Sequence, residues 1–139
     1  MLVKRVRSLA VIAFVVVSAL PLAARGSREA GELVEPDDAY ELARAGDAIL
    51  VDVRGPDSYA ESHIAGALNV PLGEVGSRAA GLAARNRTII TYCSCPAEET
   101  SIAAADELIA NGVEDVLVLR GGIRGWATQG LPLRSGTRP

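Results

Sequence analysis

The sequence predicts an α/β layer fold, a small parallel β-sheet flanked by helices on both faces, preceded by a signal peptide. Three observations carry that reading. Short continuous apolar runs rich in branched residues, such as Ala48 to Val53, suit strands covered on both faces. Segments with helical start and stop signals alternate with those runs, and strand alternating with helix requires crossovers that make the pairing parallel. A basic, then apolar, then small-residue order opens the chain.

In that opening segment Lys4, Arg5 and Arg7 precede an apolar run from Leu9 to Ala24, interrupted only by Ser18 and Pro21. Ala24-Arg25-Gly26 offers small residues where a signal peptidase reads them, which assigns residues 1–26 to the signal peptide. A helix crossing the hydrocarbon needs ~20 apolar residues, so an uncleaved anchor is the lesser reading. The mature protein is expected to be periplasmic or secreted, with no membrane attachment after cleavage. Residues 1–26 hold four of the 14 basic residues and none of the 17 acidic ones, which leaves the mature chain a net charge of about −7. Such a surface does not suit nucleic acid. At 139 residues, 49% of them apolar, the chain forms one domain with a real core and has no room for a second.

Residues 27–32 read as a short polar tether, 33–134 as the folded domain and 135–139 as a C-terminal tail. Pro36 to Arg44 begins with a proline and two acids and is followed by Gly46, which predicts a helix. Ala48 to Val53 is the first buried strand. Gly73 to Arg85 reads as a helix, Thr88 to Tyr92 as a strand, Ser101 to Ala110 as a helix and Val116 to Leu119 as a further strand.

The chain's only two cysteines lie in the stretch TYCSCPAEETS, Thr91 to Ser101, where a strand gives way to a helix. Ligands of open α/β sheets bind outside the carboxyl ends of the strands. A helix N-terminus there supplies partial positive charge and free N–H groups, which stabilise a thiolate and make it nucleophilic. The bland alternative is that small apolar cysteines are packed at the end of a core strand. Two thiols one residue apart, in a chain with no others, weigh against it.

The sequence at this point resembles the rhodanese-like domain family. The resemblance rests on Val51-Asp-Val-Arg54, Asp57, Tyr59, His63-Ile-Ala-Gly-Ala67, Asn69 and Pro71, on Tyr92-Cys93 closing a strand, and on Gly121-Gly-Ile-Arg-Gly-Trp126 with Gly130 and Pro132. It runs from about Leu33 to Leu133. The resemblance implies a sulfurtransferase in which a cysteine thiolate takes sulfane sulfur from a donor, holds it as a persulfide and passes it to a thiophilic acceptor. It also implies a substrate-binding loop, here Ser94, Pro96, Ala97, Glu98, Glu99, Thr100 and Ser101, whose backbone N–H groups, Pro96 excepted because it has none, surround that sulfur. No cofactor is implied. The partners expected are a small sulfur donor, a thiol or protein acceptor and a thiol reductase.

Either cysteine fits the role. Counting from the strand puts Cys93 at the nucleophile position, whereas the six-residue spacing from Cys95 to Ser101 matches the family's usual loop. Capping rules alone offer a third arrangement, in which Pro96 occupies the first helical position with Glu98 close behind. We assign Cys93 as nucleophile and Cys95 as the resolving or modulating thiol, with the reverse order open. Glu98 and Glu99 oppose a doubly negative thiosulfate, so a protein thiol, a polysulfide or a neutral persulfide suits the loop better. The same acids can instead serve the N-terminus of the following helix.

His63, the only histidine, shapes the turn into the next strand. Asp52 and Arg54 at a strand end pair with each other or with backbone and hold the active edge in shape. Gly121 and Gly122 permit unusual dihedrals, and Trp126 plugs the core beneath a final short helix. Two rival classes remain: a thiol-disulfide redox protein using the Cys-Ser-Cys pair, and a rhodanese-shaped binding module without turnover. Cys93, Cys95 and His63 offer too few ligands for zinc, so no metal site is expected.

Overall fold

The structure is a computed structural model that describes residues 31–139. The expected signal peptide, and the tether up to residue 30, lie outside the described residues. Among the described residues no helix is long and apolar enough to cross a membrane.

The elements run β1 (Glu32–Val34), α1 (Pro36–Ala45), β2 (Ala48–Asp52), α2 (Pro56–Glu61), β3 (His63–Ile64), β4 (Leu68–Asn69), α3 (Val75–Ala83), β5 (Thr88–Tyr92), α4 (Glu99–Ala110), β6 (Val116–Leu119), α5 (Gly122–Thr128) and β7 (Leu133–Arg134). Five of the strands form one parallel sheet in the order β1-β6-β5-β2-β4. β3 and β7 form a small antiparallel ribbon.

The apolar runs become the sheet's centre because successive side chains point to opposite faces. Ile49, Val51, Ile89, Val116 and Val118 pack on one side with Ala79 and Leu82 of α3 and Ala104, Ala105 and Leu108 of α4. Leu50, Ile90, Tyr92, Leu117 and Leu119 pack on the other with Ala39 of α1 and Ile123 and Trp126 of α5. Helices therefore cover both faces, as the continuous apolar runs require. Fully burying each such Val, Leu or Ile contributes roughly 1.5–3 kcal/mol.

Several boundaries move. Glu32, placed in the tether, is the first residue of β1, and Gly31 already donates its N–H to the Val116 carbonyl at 2.7 Å. A two- or three-residue edge strand has too short an apolar pattern to stand out in the sequence. The helix expected to begin at Gly73 opens instead as a 3₁₀ turn over Leu72–Glu74 before α3. The helix expected from Ser101 begins two residues earlier at Glu99, and Pro96 lies outside it, so the arrangement with Pro96 as first helical residue is not adopted. The tail is engaged where the Gly136 N–H reaches the Ala60 carbonyl at 2.8 Å and where the Pro139 carbonyl accepts from Arg134 Nη1 at 3.5 Å.

Candidate active site at the carboxyl edge of the sheet

β2 and β5 are neighbours in register, with Asp52 opposite Tyr92, so the residues following each strand meet at the same carboxyl edge. After β2 comes a rigid corner. Asp52, fully buried, accepts bonds from Arg54 Nη2 at 2.6 Å, Arg54 Nε at 2.9 Å and the Arg54 backbone N–H at 3.0 Å. Arg54 Nη2 also donates to the Ser62 carbonyl at 2.6 Å, and its guanidinium carbon lies 5.9 Å from the centre of the Tyr92 ring. The Asn69 side-chain amide spans the carbonyls of Asp52 and Arg54 at 3.1 and 3.0 Å. Burial works against the Arg54 charge, but its bonds and attraction to Asp52 more than offset it and hold the pKa above the ordinary value. Burial and the Asp52 charge both raise the Tyr92 pKa, so the phenol stays neutral far into alkali. The pairing expected of Asp52 and Arg54, with each other and with backbone, is present.

After β5 comes the cysteine loop. Cys93 directly follows the strand, is 2% exposed and packs into the core face formed with α3 and α4. Cys95 is only partly buried. The two sulfurs are joined as a disulfide, with Cα atoms 5.8 Å apart. The Thr100 N–H, in the first turn of α4, points at Cys95 Sγ at 3.5 Å, and the Thr100 hydroxyl lies 3.4 Å from the same sulfur. The Ser101 hydroxyl faces Cys93 Sγ at 3.5 Å and the Glu98 carbonyl at 3.0 Å. Among the described contacts, Thr100 supplies the only backbone N–H on a cysteine sulfur.

Ser94 is half-buried, and Pro96, Ala97 and Glu99 are exposed, with none of their side chains against sulfur among the described contacts. Glu98 adopts a left-handed conformation, φ 55°, uncommon for a residue with a side chain. Its carboxylate accepts the Gly121 N–H at 2.6 Å. Glu99 takes the expected place in the first turn of α4, whereas the Glu98 carboxylate serves not α4 but Gly121, which stands before α5, 23 residues away. Nothing local in the sequence signals that partner.

The Gly121-Gly122 turn also holds the thiol-bearing backbone. Gly122, at φ 52°, lies so close to Cys93 that a Cβ there would strike the Cys93 carbonyl oxygen. That oxygen in turn accepts the Ile123 N–H at 3.0 Å. The pair was legible as a backbone device; that its target is the peptide of Cys93 was not.

His63 stands apart from the sulfurs. It is fully buried in β3, stacks on Tyr59 with ring centres 3.8 Å apart, and places Nδ1 2.8 Å from the Tyr59 carbonyl. Its Nε2 has no partner, and none of its described contacts reaches the cysteine loop. Trp126 is 1% exposed, with its indole N–H on the Pro132 carbonyl at 2.9 Å.

Comparison with known proteins bears on this edge. A family model described as "Rhodanese-like domain" matches residues 35–129. A protein named "Sulfurtransferase" from Allochromatium vinosum is 37% identical over 95 residues, 68% of this chain and 86% of that protein. "Thiosulfate sulfurtransferase GlpE" from Coxiella burnetii is 32% identical over 89 residues, 64% of this chain and 80% of that protein. The crystal structure of the BH2092 protein from Bacillus halodurans superposes with a TM-score of 0.67 at 28% identity, covering 76% of this chain and 77% of that one.

Proposed function

The chain belongs to the rhodanese-like domain family, and from that premise we propose an exported sulfurtransferase that moves sulfane sulfur through a cysteine persulfide in the Cys93–Cys95 loop to a thiophilic acceptor. The observation that carries the reading is the placement of the chain's two cysteines at the carboxyl end of β5, with the first turn of α4 directing the Thr100 N–H at Cys95 Sγ. An N–H aimed at sulfur favours the anionic form, which is both the nucleophile and the persulfide state.

The chemistry follows in two steps. A cysteine thiolate attacks the sulfane sulfur of the donor, a sulfur–sulfur bond forms, and the remainder of the donor leaves with the electron pair. The acceptor then attacks the outer sulfur and regenerates the thiolate. Asp52, Arg54 and Asn69 hold the neighbouring corner rigid, while Ser101 and Thr100 supply the polar contacts on the two sulfurs. Glu98 and Glu99 give the loop negative charge, so an alkyl persulfide in its neutral form or a protein persulfide is the better donor than doubly negative thiosulfate. Export rests on the basic and apolar order at residues 4–24, and a Cys93–Cys95 disulfide suits an oxidising compartment. A thiol reductase would open the pair there.

The test is turnover with cyanide as acceptor. Thiocyanate formed in proportion to added reduced protein, faster from an alkyl persulfide than from thiosulfate, and absent in the Cys93→Ser/Cys95→Ser double variant, is the expected result. No protein-dependent thiocyanate from either donor would leave the disulfide as the main observation and favour a thiol-disulfide redox protein. Fractionation of cells producing the full chain checks export.

A further inference from the structure

The second sulfur at this edge has no part in transfer to an outside acceptor, yet it lies bonded to the first. We infer that the loop is also a sulfide-releasing device: Cys95 carries the donated sulfur, and Cys93 expels it as hydrosulfide by closing the Cys93–Cys95 disulfide. The inference rests on the sulfur-transfer reading above and adds a second outlet to it.

Four observations assign the roles, and they reverse the order expected from the sequence. Cys95 is the partly exposed member, so a donor reaches it, whereas Cys93 is 2% exposed and packed against α3 and α4. The Thr100 N–H and hydroxyl both face Cys95 Sγ, at 3.5 and 3.4 Å, and are placed to hold charge on the sulfur that bears the persulfide. The Cys93 backbone is fixed by the Ile123 N–H on its carbonyl and by the close approach of Gly122, so the resolving thiol waits in one place. The bond that resolution would form is already present between the two sulfurs.

The step balances. In the persulfide, Cys95 Sγ is the inner sulfur and the donated atom the outer one. Cys93 Sγ attacks the inner sulfur, the Cys93–Cys95 bond forms, and the bond between inner and outer sulfur breaks. The outer sulfur leaves with that electron pair, takes up the Cys93 proton and departs as hydrosulfide. The two cysteine sulfurs together lose two electrons, and the sulfane sulfur gains them. An external dithiol reductant then reduces the disulfide, attacking at the more accessible Cys95. Over the cycle a sulfane donor is reduced to sulfide at the expense of a dithiol.

A single-turnover experiment tests this without added thiol or cyanide. Reduced full-length protein, Cys93→Ser and Cys95→Ser are exposed anaerobically to a limiting alkyl persulfide. Each is freed of small molecules and followed by intact mass, free-thiol count and trapped sulfide. The wild type is expected to release about one hydrosulfide per loaded chain and to end two hydrogens lighter than the reduced protein. Cys93→Ser keeps one added sulfur, mapped to Cys95 and removable by cyanide, and releases none. Cys95→Ser fails to load. If the wild type retains its added sulfur as long as Cys93→Ser does, sulfur transfer stands and the release mechanism falls. If Cys95→Ser loads and Cys93→Ser does not, the assignment of the carrier is overturned. If no form takes up sulfur, the transfer reading falls and this inference with it. The wild-type yield of sulfide against thiols lost decides the question even if a serine in the buried Cys93 position destabilises the fold.

Discussion

Two corners of the molecule stand side by side on the same sheet edge and are built on opposite principles. The corner after β2 is cross-linked by bonds of 2.6–3.2 Å between full charges and by an asparagine bridging two carbonyls. The corner after β5 has its backbone pinned by the Ile123 N–H on the Cys93 carbonyl at 3.0 Å and by the Gly121 N–H on the Glu98 carboxylate, but the contacts to its sulfurs are only 3.4–3.5 Å. Charge-assisted bonds are about twice as strong as neutral ones, and contacts to sulfur are weaker still. The first corner is thus a fixed wall, and the second leaves its sulfurs free to change bonding partners. A site that forms and breaks sulfur–sulfur bonds needs one of each.

The comparison can be broken by substitution. The largest effect is expected at Cys95→Ser, which removes the carrier and lowers the rate of thiocyanate formation by more than about 1,000-fold while leaving the fold intact, as circular dichroism would check. Asp52→Ala should act the other way, destabilising by about 3–5 kcal/mol in urea unfolding, because it leaves the Arg54 charge part-buried without its partner. If that cost is below ~1 kcal/mol, the wall is not electrostatic. Gly122→Ala acts on the backbone of the second corner. Strain at φ 52° costs about 1–3 kcal/mol, and the clash with the Cys93 carbonyl displaces the resolving thiol, so sulfide release should slow along with the loss of stability.

Smaller effects sharpen the contrast. Glu98→Gln keeps a side-chain oxygen for the Gly121 N–H, should cost about 1 kcal/mol or less, and should raise thiosulfate use relative to alkyl persulfide because one negative charge leaves the loop. The smallest effect is confined to alkali. The folded Tyr92 pKa is raised above 10.0, so its contribution is fully present below that pH and is lost as the pH rises beyond it, where the unfolded chain ionises first. Tyr92→Phe should flatten the alkaline fall in stability; an unchanged slope would mean that other groups set it.

Much of the wall was legible. Asp52 and Arg54 end an apolar run, and charges so placed must find partners because burial leaves them no water. The sheet's centre was legible for the same reason, since continuous branched runs such as Thr88–Tyr92 have few other places to go. The loop was not. Its shape depends on Glu98 reaching Gly121 and on Gly122 meeting Cys93, contacts between residues more than twenty positions apart with no periodic signature. The two ways of counting the cysteines disagreed because the strand and the helix each fix one end of a loop whose middle is held by neither. Short strands such as β3, β4 and β7 escaped because two residues are too few to show alternation.

The direction of β1 has a consequence for how the sulfurs meet other molecules. All five strands of the main sheet run the same way, so Glu32 enters at the amino end while Cys93 leaves at the carboxyl end. The described chain therefore enters the sheet on the side opposite the thiols. A carrier, a surface or a label joined directly at Gly31 would meet the sheet at its amino end and leave the sulfur face open to incoming partners.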